Sequence, residues 1–273
     1  MRIRQILLSV VVLAPILSTG ISSAAQADSS DNTSQSTPTQ GLFKPIVIDF
    51  EEFAAGTFIA GDEWAQYGVN IGLESKNKRK GNKNQNLPLR LFDSNCRPKG
   101  ITDPSLQSLP ICTGDDGDLA TGDYFGSKAQ GNVLIIQEDN SKPRNRDDLG
   151  EPDDDAKGGT ITFKFDQVVQ YISIGFLDFD ERGKGEFRFY TEADDKNAAL
   201  KLSIKDVEAI NPAFSGDNSV RLFENVFEGV EVAFKRLEIQ YPGSGAITHL
   251  CFSPEIAPGG SHNWADSADS CRW

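Results

Sequence analysis

Three carboxylate clusters stand out as residues that could do chemistry. The first lies within "NVLIIQEDNSKPRNRDDLGEPDDDAKGGTITFKF", residues 132–165. Both ends have the composition of strands. Between them sit Glu138, Asp139, Asp147, Asp148, Glu151, Asp153, Asp154 and Asp155. Hard cations take six to eight oxygen ligands, and carboxylates supply them. The same acids, with Lys142, Arg144 and Arg146 among them, would also suit a solvated loop. Their spacing matches neither an EF-hand nor a glycine-rich nonapeptide repeat. In the second cluster, "YISIGFLDFDE", Ile172, Ile174 and Phe176 share one strand face, and the same parity reaches Asp178 and Asp180. Two like charges beyond a buried face are costly unless they are solvated or share a cation. The alternative is that the strand has ended there, since "ERGKG" comes next. The third, "CTGDDGDLATGD", holds Asp115, Asp116, Asp118 and Asp123 among glycines. Glycine lets carbonyls turn toward an ion, although Asp-Gly is also an ordinary turn. Together the clusters predict a structural calcium site with Asp118, Asp153, Asp154, Asp178 and Asp180 as ligands.

Other groups able to contact a ligand are aromatic or basic. Tyr124 and Trp264 could stack on sugar rings, whereas Trp64 and Tyr67 have the setting of core residues. The run "KNKRKGNKN" contains Lys78 and Arg79. It suits a solvated hairpin tip, or a contact for anionic polysaccharide. Enzyme signals are few. The histidines are His249 and His262, there is no G-x-S-x-G elbow, and "GSG" at 243–245 reads as a tight turn. A glycosidase needs only two carboxylates, so a glycan-active hydrolase remains the third reading, behind two non-catalytic ones.

These residues need a scaffold to position them. Residues 1–27 have a basic start, an apolar run from Ile6 to Leu17 and an Ala-Gln-Ala site, the pattern of a secretory signal peptide. Residues 28–42 are Ser/Thr-rich and predict a disordered linker. From 43 to 253 short segments rich in Val, Ile and Phe alternate with Gly, Asn, Asp and Pro, so one all-β domain is expected: a β-sandwich of jelly-roll type. "DEWAQY" could form one helical turn. In "GTITFKFD", Ile161, Phe163 and Phe165 face inward. In "VEVAFKRLEIQY" the alternation slips, and a β-bulge at Lys235-Arg236 would restore one buried face. Residues 254–273 form a polar tail. The four cysteines, Cys96, Cys112, Cys251 and Cys271, allow three pairings. The local pairs Cys96–Cys112 and Cys251–Cys271 are expected, the second tying down the tail. No CxxC or HxxxH spacing supports zinc.

Charge narrows the partners. The chain carries 27 Lys and Arg against 40 Asp and Glu, a formal net charge of −13. Such a charge repels nucleic acid and anionic membranes. No run after the leader is apolar enough to span a bilayer. The ordered blocks "RLFDSNC", "CTGDDGDLATG", "NVLIIQE", "PDDDAKGGTITFKF", "GFLDFDE", "GDNSV" and "GSGAITHLCF" resemble a group of exported bacterial β-sandwich modules. These are common in cyanobacteria and often carry a PEP-CTERM sorting tail, which this chain lacks. The group is similar to galactose-binding-like jelly rolls, which often hold a structural calcium. The resemblance implies a secreted, non-catalytic module, extracellular or periplasmic, that binds extracellular polysaccharide. A structural component of the matrix or cell surface without a small ligand is the runner-up.

Overall fold

A computed structural model describes residues 45–76, 86–139, 149–179, 185–210, 220–224, 233–254 and 271. The fold is the expected all-β sandwich of jelly-roll type. Eleven strands are seen among these residues, all paired antiparallel: β1 (Ile46–Ile48), β2 (Phe58–Ile59), β3 (Val69–Ser75), β4 (Leu89–Asp93), β5 (Asn132–Ile136), β6 (Gly159–Leu177), β7 (Glu186–Tyr190), β8 (Leu200–Ser203), β9 (Val220–Glu224), β10 (Phe234–Gln240) and β11 (Ala246–Pro254). Among the described residues, no helix is long and apolar enough to cross a membrane.

One strand belongs to both layers of the sandwich. "GTITFKFD" and "YISIGFLDF", expected as separate strands, are the two halves of β6. Its first half pairs with β3 and β10. Its second half pairs with β9 and β11. The first layer is therefore β3–β6–β10–β7–β8, and the second is β9–β6–β11–β5–β4–β2, with β1 also on β11. Aromatic rings join the layers across the core. Phe187 of β7 stacks on Phe223 of β9 at 4.3 Å, and Phe165 of β6 meets Phe252 of β11 at 5.0 Å.

The bend in β6 changes which parity faces the core. Ile161, Phe163 and Phe165 are buried before it, and Ile172, Ile174 and Phe176 after it. The β10 pairing slips as its sequence suggested. Its register with β6 shifts between Phe234 and Arg236, which buries Phe234, Leu237, Ile239 and Tyr241 together. "DEWAQY" contains a 3-10 turn at Ala65–Tyr67, and Trp64 is fully buried between Phe50 and Phe53. β8 stops at Ser203, and the chain continues as helix α1 (Ile204–Ile210). Ser203 and Asp206 cap its start, each side chain bonded to the other residue's backbone N–H. That S-x-x-D pattern was the available signal.

A second, smaller core lies on the outer face of layer two. There Phe92, Val133, Ile135 and Leu177 are covered by Leu119 and Ala120 and by the Cys96–Cys112 disulfide. Cys251 is bonded to Cys271, and Tyr171 packs on that bond. A loop of this length is worth about 3 kcal/mol when closed by a disulfide. Cys96→Ala with Cys112→Ala should therefore lower stability by about 3 kcal/mol in urea titration. A midpoint and slope unchanged from the parent would refute this.

Candidate metal centre

Segment 153–155 is held by continuing the β5 pairing beyond the strand. Glu138 N–H donates to Asp153 O at 2.7 Å, and Asp155 N–H to Ile136 O at 2.8 Å. This leaves Asp153, Asp154 and Asp155 at 7%, 6% and 1% exposure. Asp116 approaches from the loop after the Cys96–Cys112 bond, between 3-10 turns at Thr113–Asp115 and Gly117–Leu119. Its Oδ2 accepts from Asp154 N–H at 2.7 Å. The carboxylates of Asp116, Asp153 and Asp154 all lie within 4.8 Å of one another.

Two glycines make this approach possible. Gly114 has φ +64°, and a Cβ there would stand 2.6 Å from Asp153 Cβ. Gly245 has φ +123° and donates its N–H to Asp154 Oδ2. A Cβ at Gly245 would stand 2.7 Å from Asp178 O. Side chains at either position would force the acidic segments apart.

The electrostatics show the cost of this arrangement. Burial, then the charges of Asp154 and Asp153, push the Asp116 carboxyl up to about 10. Burial pushes Asp154 up to about 8, opposed by the Gly245 N–H and reinforced by Asp118, Asp153 and Asp178. Without a cation, protons must neutralise part of the cluster; Asp116 would share one with Asp153. Three clustered acids with only oxygen donors suit a hard divalent cation. Asp116, Asp153 and Asp154 would hold it, and its charge would allow all three to ionise.

The expected ligands fall into three groups. Asp153 and Asp154 are central. Asp178 is buried and acts on Asp154, but by a different route from the one expected. β6 ends at Leu177, and Asp178 turns into a left-handed conformation at φ 54°. The turn returns Phe179 to the core against Phe176 and Tyr241. The strand parity therefore does not continue to Asp178. Asp118 is exposed and contributes charge from the edge. Asp180 lies outside the described residues. Asp116 takes the central place that the sequence reading gave to Asp118, because the two 3-10 turns rotate the chain between them.

Of the candidate glycan contacts, Tyr124 is 52% exposed, its ring edge-on to Phe125 at 5.2 Å. Trp264, Lys78 and Arg79 lie outside the described residues, as does His262. Lys76, at the start of the basic run, donates to Tyr241 O at 2.6 Å. His249 is buried beside Thr248, and burial lowers its pKa to about 4, so it is neutral at physiological pH.

No family model matches this chain. No curated protein matches it either. Among solved structures it is similar to a low-affinity xylan-binding module of Roseburia intestinalis. That match has 10% identity and TM-score 0.24, covering 38% of this chain and 76% of that one. It is also similar to a family 29 carbohydrate-binding module, at 14% identity and TM-score 0.24, covering 46% of this chain and 76% of that one. At such scores neither likeness carries an argument about this chain.

Proposed function

We propose that this chain is a secreted, non-catalytic module that binds extracellular glycan, with a structural calcium ion tying together the loops at one end of its sandwich. The observation that carries this reading is the trio of half-buried Asp116 with buried Asp153 and Asp154, its carboxylates within 4.8 Å of one another. A catalytic pair must face substrate. Here Asp153 and Asp154 are less than a tenth exposed, and Asp154 is engaged by the Gly245 N–H. Such acids suit an ion better than a sugar. The two disulfides support export, because such bonds persist in oxidising compartments. The net charge of −13 disfavours anionic polymers, which leaves neutral glycan as the preferred ligand class.

Two measurements test this reading. Calorimetric titration of calcium into chelator-stripped protein should give a saturable site. Affinity electrophoresis in neutral polysaccharides should retard the calcium-loaded protein, with little dependence on salt. No new reducing ends should form. Turnover would make the protein a hydrolase, and free migration in every polymer would favour the purely structural role.

A further inference from the structure

The end of the sandwich opposite the acidic centre carries a cleft of about 460 Å³. Both ends of β6 lie at the acidic end: Gly159 follows Asp155 closely, and Leu177 precedes Asp178. The bend lies at the other end. Asp166 lies seven strand rises beyond Gly159, or about 23 Å at the usual rise. At the bend β6 places residues 165–168 opposite Lys235 alone, since Lys164 pairs with Arg236 and Val169 with Phe234. A bulge of this kind re-aims side chains. Phe165 and Val169 turn into the core, while Asp166 and Gln167 turn out.

The cleft has two chemical parts. Phe165 and Phe252, 5.0 Å apart, form part of an apolar floor. Gln66, Tyr67, Asp166 and Gln167 form a polar rim. Tyr67 donates its hydroxyl to Glu52 Oε1 at 2.6 Å, which fixes its ring. Asp166 N–H donates to Gly68 O at 2.9 Å, which fixes the rim backbone. Gly68 takes a left-handed φ of +78° where the 3-10 turn ends, which sets this part of the rim.

We propose that this cleft holds one sugar residue of a neutral glycan, an inference that rests on the glycan-binding reading above. The volume falls within the roughly 300–1,000 Å³ range of small-molecule sites. A pyranose presents CH groups on its faces and hydroxyls around its edge. The floor suits the former and the rim the latter. A carboxylate accepts hydrogen bonds from hydroxyls, and side-chain amides both donate and accept. Asp166 and the net charge of −13 oppose an anionic ligand.

The test uses the full chain with soluble xylan, mixed-linkage β-glucan and galactomannan. Asp166 and Gln167 are exposed, so Asp166→Ala with Gln167→Ala should keep the parent melting temperature. Retardation should weaken about tenfold in apparent Kd, as expected when a charged hydrogen-bond partner is lost. Short oligosaccharides of the retarding polymer should shift the backbone amide signals of Gly68 and Asp166. Retardation that survives the double variant and is lost in Tyr124→Ala would overturn the cleft while leaving glycan binding intact. Free migration of the parent in all three polymers would overturn both.

Discussion

Calcium added to chelator-stripped protein should raise its melting temperature by about 10 °C at a thousandfold excess over Kd. Linkage gives about 4 kcal/mol of stabilisation at that excess. A domain of this size moves by about 2–4 °C per kcal/mol. The gain comes from two segments that the ion would join, the loop after Cys112 and residues 153–155. Magnesium should give less, because it needs a tighter octahedral shell and sheds water reluctantly. Asp153→Asn with Asp154→Asn should abolish the shift. Asp116→Asn should remove most of it, and Asp118→Asn only a small part, since Asp118 is exposed. An equal loss in Asp118→Asn and Asp116→Asn would contradict the placement of these two acids. A melting curve unmoved by calcium would sink the metal centre altogether.

The contrast between Asp116 and Asp118 shows what was legible in the sequence. The density of acids marked segments that the structure brings together, because burying several carboxylates has few physical outcomes. It could not choose among neighbours in "DDGD". That choice depends on two short turns and on Gly114, whose missing side chain admits Asp153. The fold class followed from alternation along the longer strands. Two strands escaped it. β2 has only two residues, too few for a period. β4 has Leu89 and Leu91 on one face but Phe92 buried on the other, which breaks the alternation, and its Arg90 is held by distant partners. Its guanidinium bonds to Gly56 O, Gln137 Oε1 and Gly150 O and lies over the Phe58 ring. Partners that distant in sequence leave no local trace. The cleft was invisible for a related reason. Gln66 and Gln167 line one cleft only because β6 bends between the layers.

Metal-free protein should lose stability as the pH rises from 6.5 to 8, and calcium should flatten that slope. Asp116 and Asp154 titrate in the folded state at about 10 and about 8. Unfolded, both would titrate near 4. The folded protein therefore holds protons that the unfolded chain releases. Their contribution is full below pH 4 and is lost as the pH rises through 8 and then 10. Each retained proton tilts stability by about 1.4 kcal/mol per pH unit, so a fall of a few kcal/mol is expected across this window. His249 acts in the opposite sense. Its folded value of about 4 lies below the unfolded one, so its contribution is full above 6.5 and lost toward 4. Below pH 6.5 the two effects oppose one another, which makes 6.5 to 8 the clean interval. Calcium displaces the protons, so the loaded protein should show little pH dependence in this window, while the increment that calcium adds should shrink toward acid pH as protons compete for the carboxylates. Urea titrations at pH 6.5, 7.2 and 8, with chelator and with calcium, would measure both slopes. In Asp154→Asn the chelator slope should roughly halve. A flat chelator profile in the parent would show that the buried acids do not hold protons, and the argument for a cation in their place would fall with it.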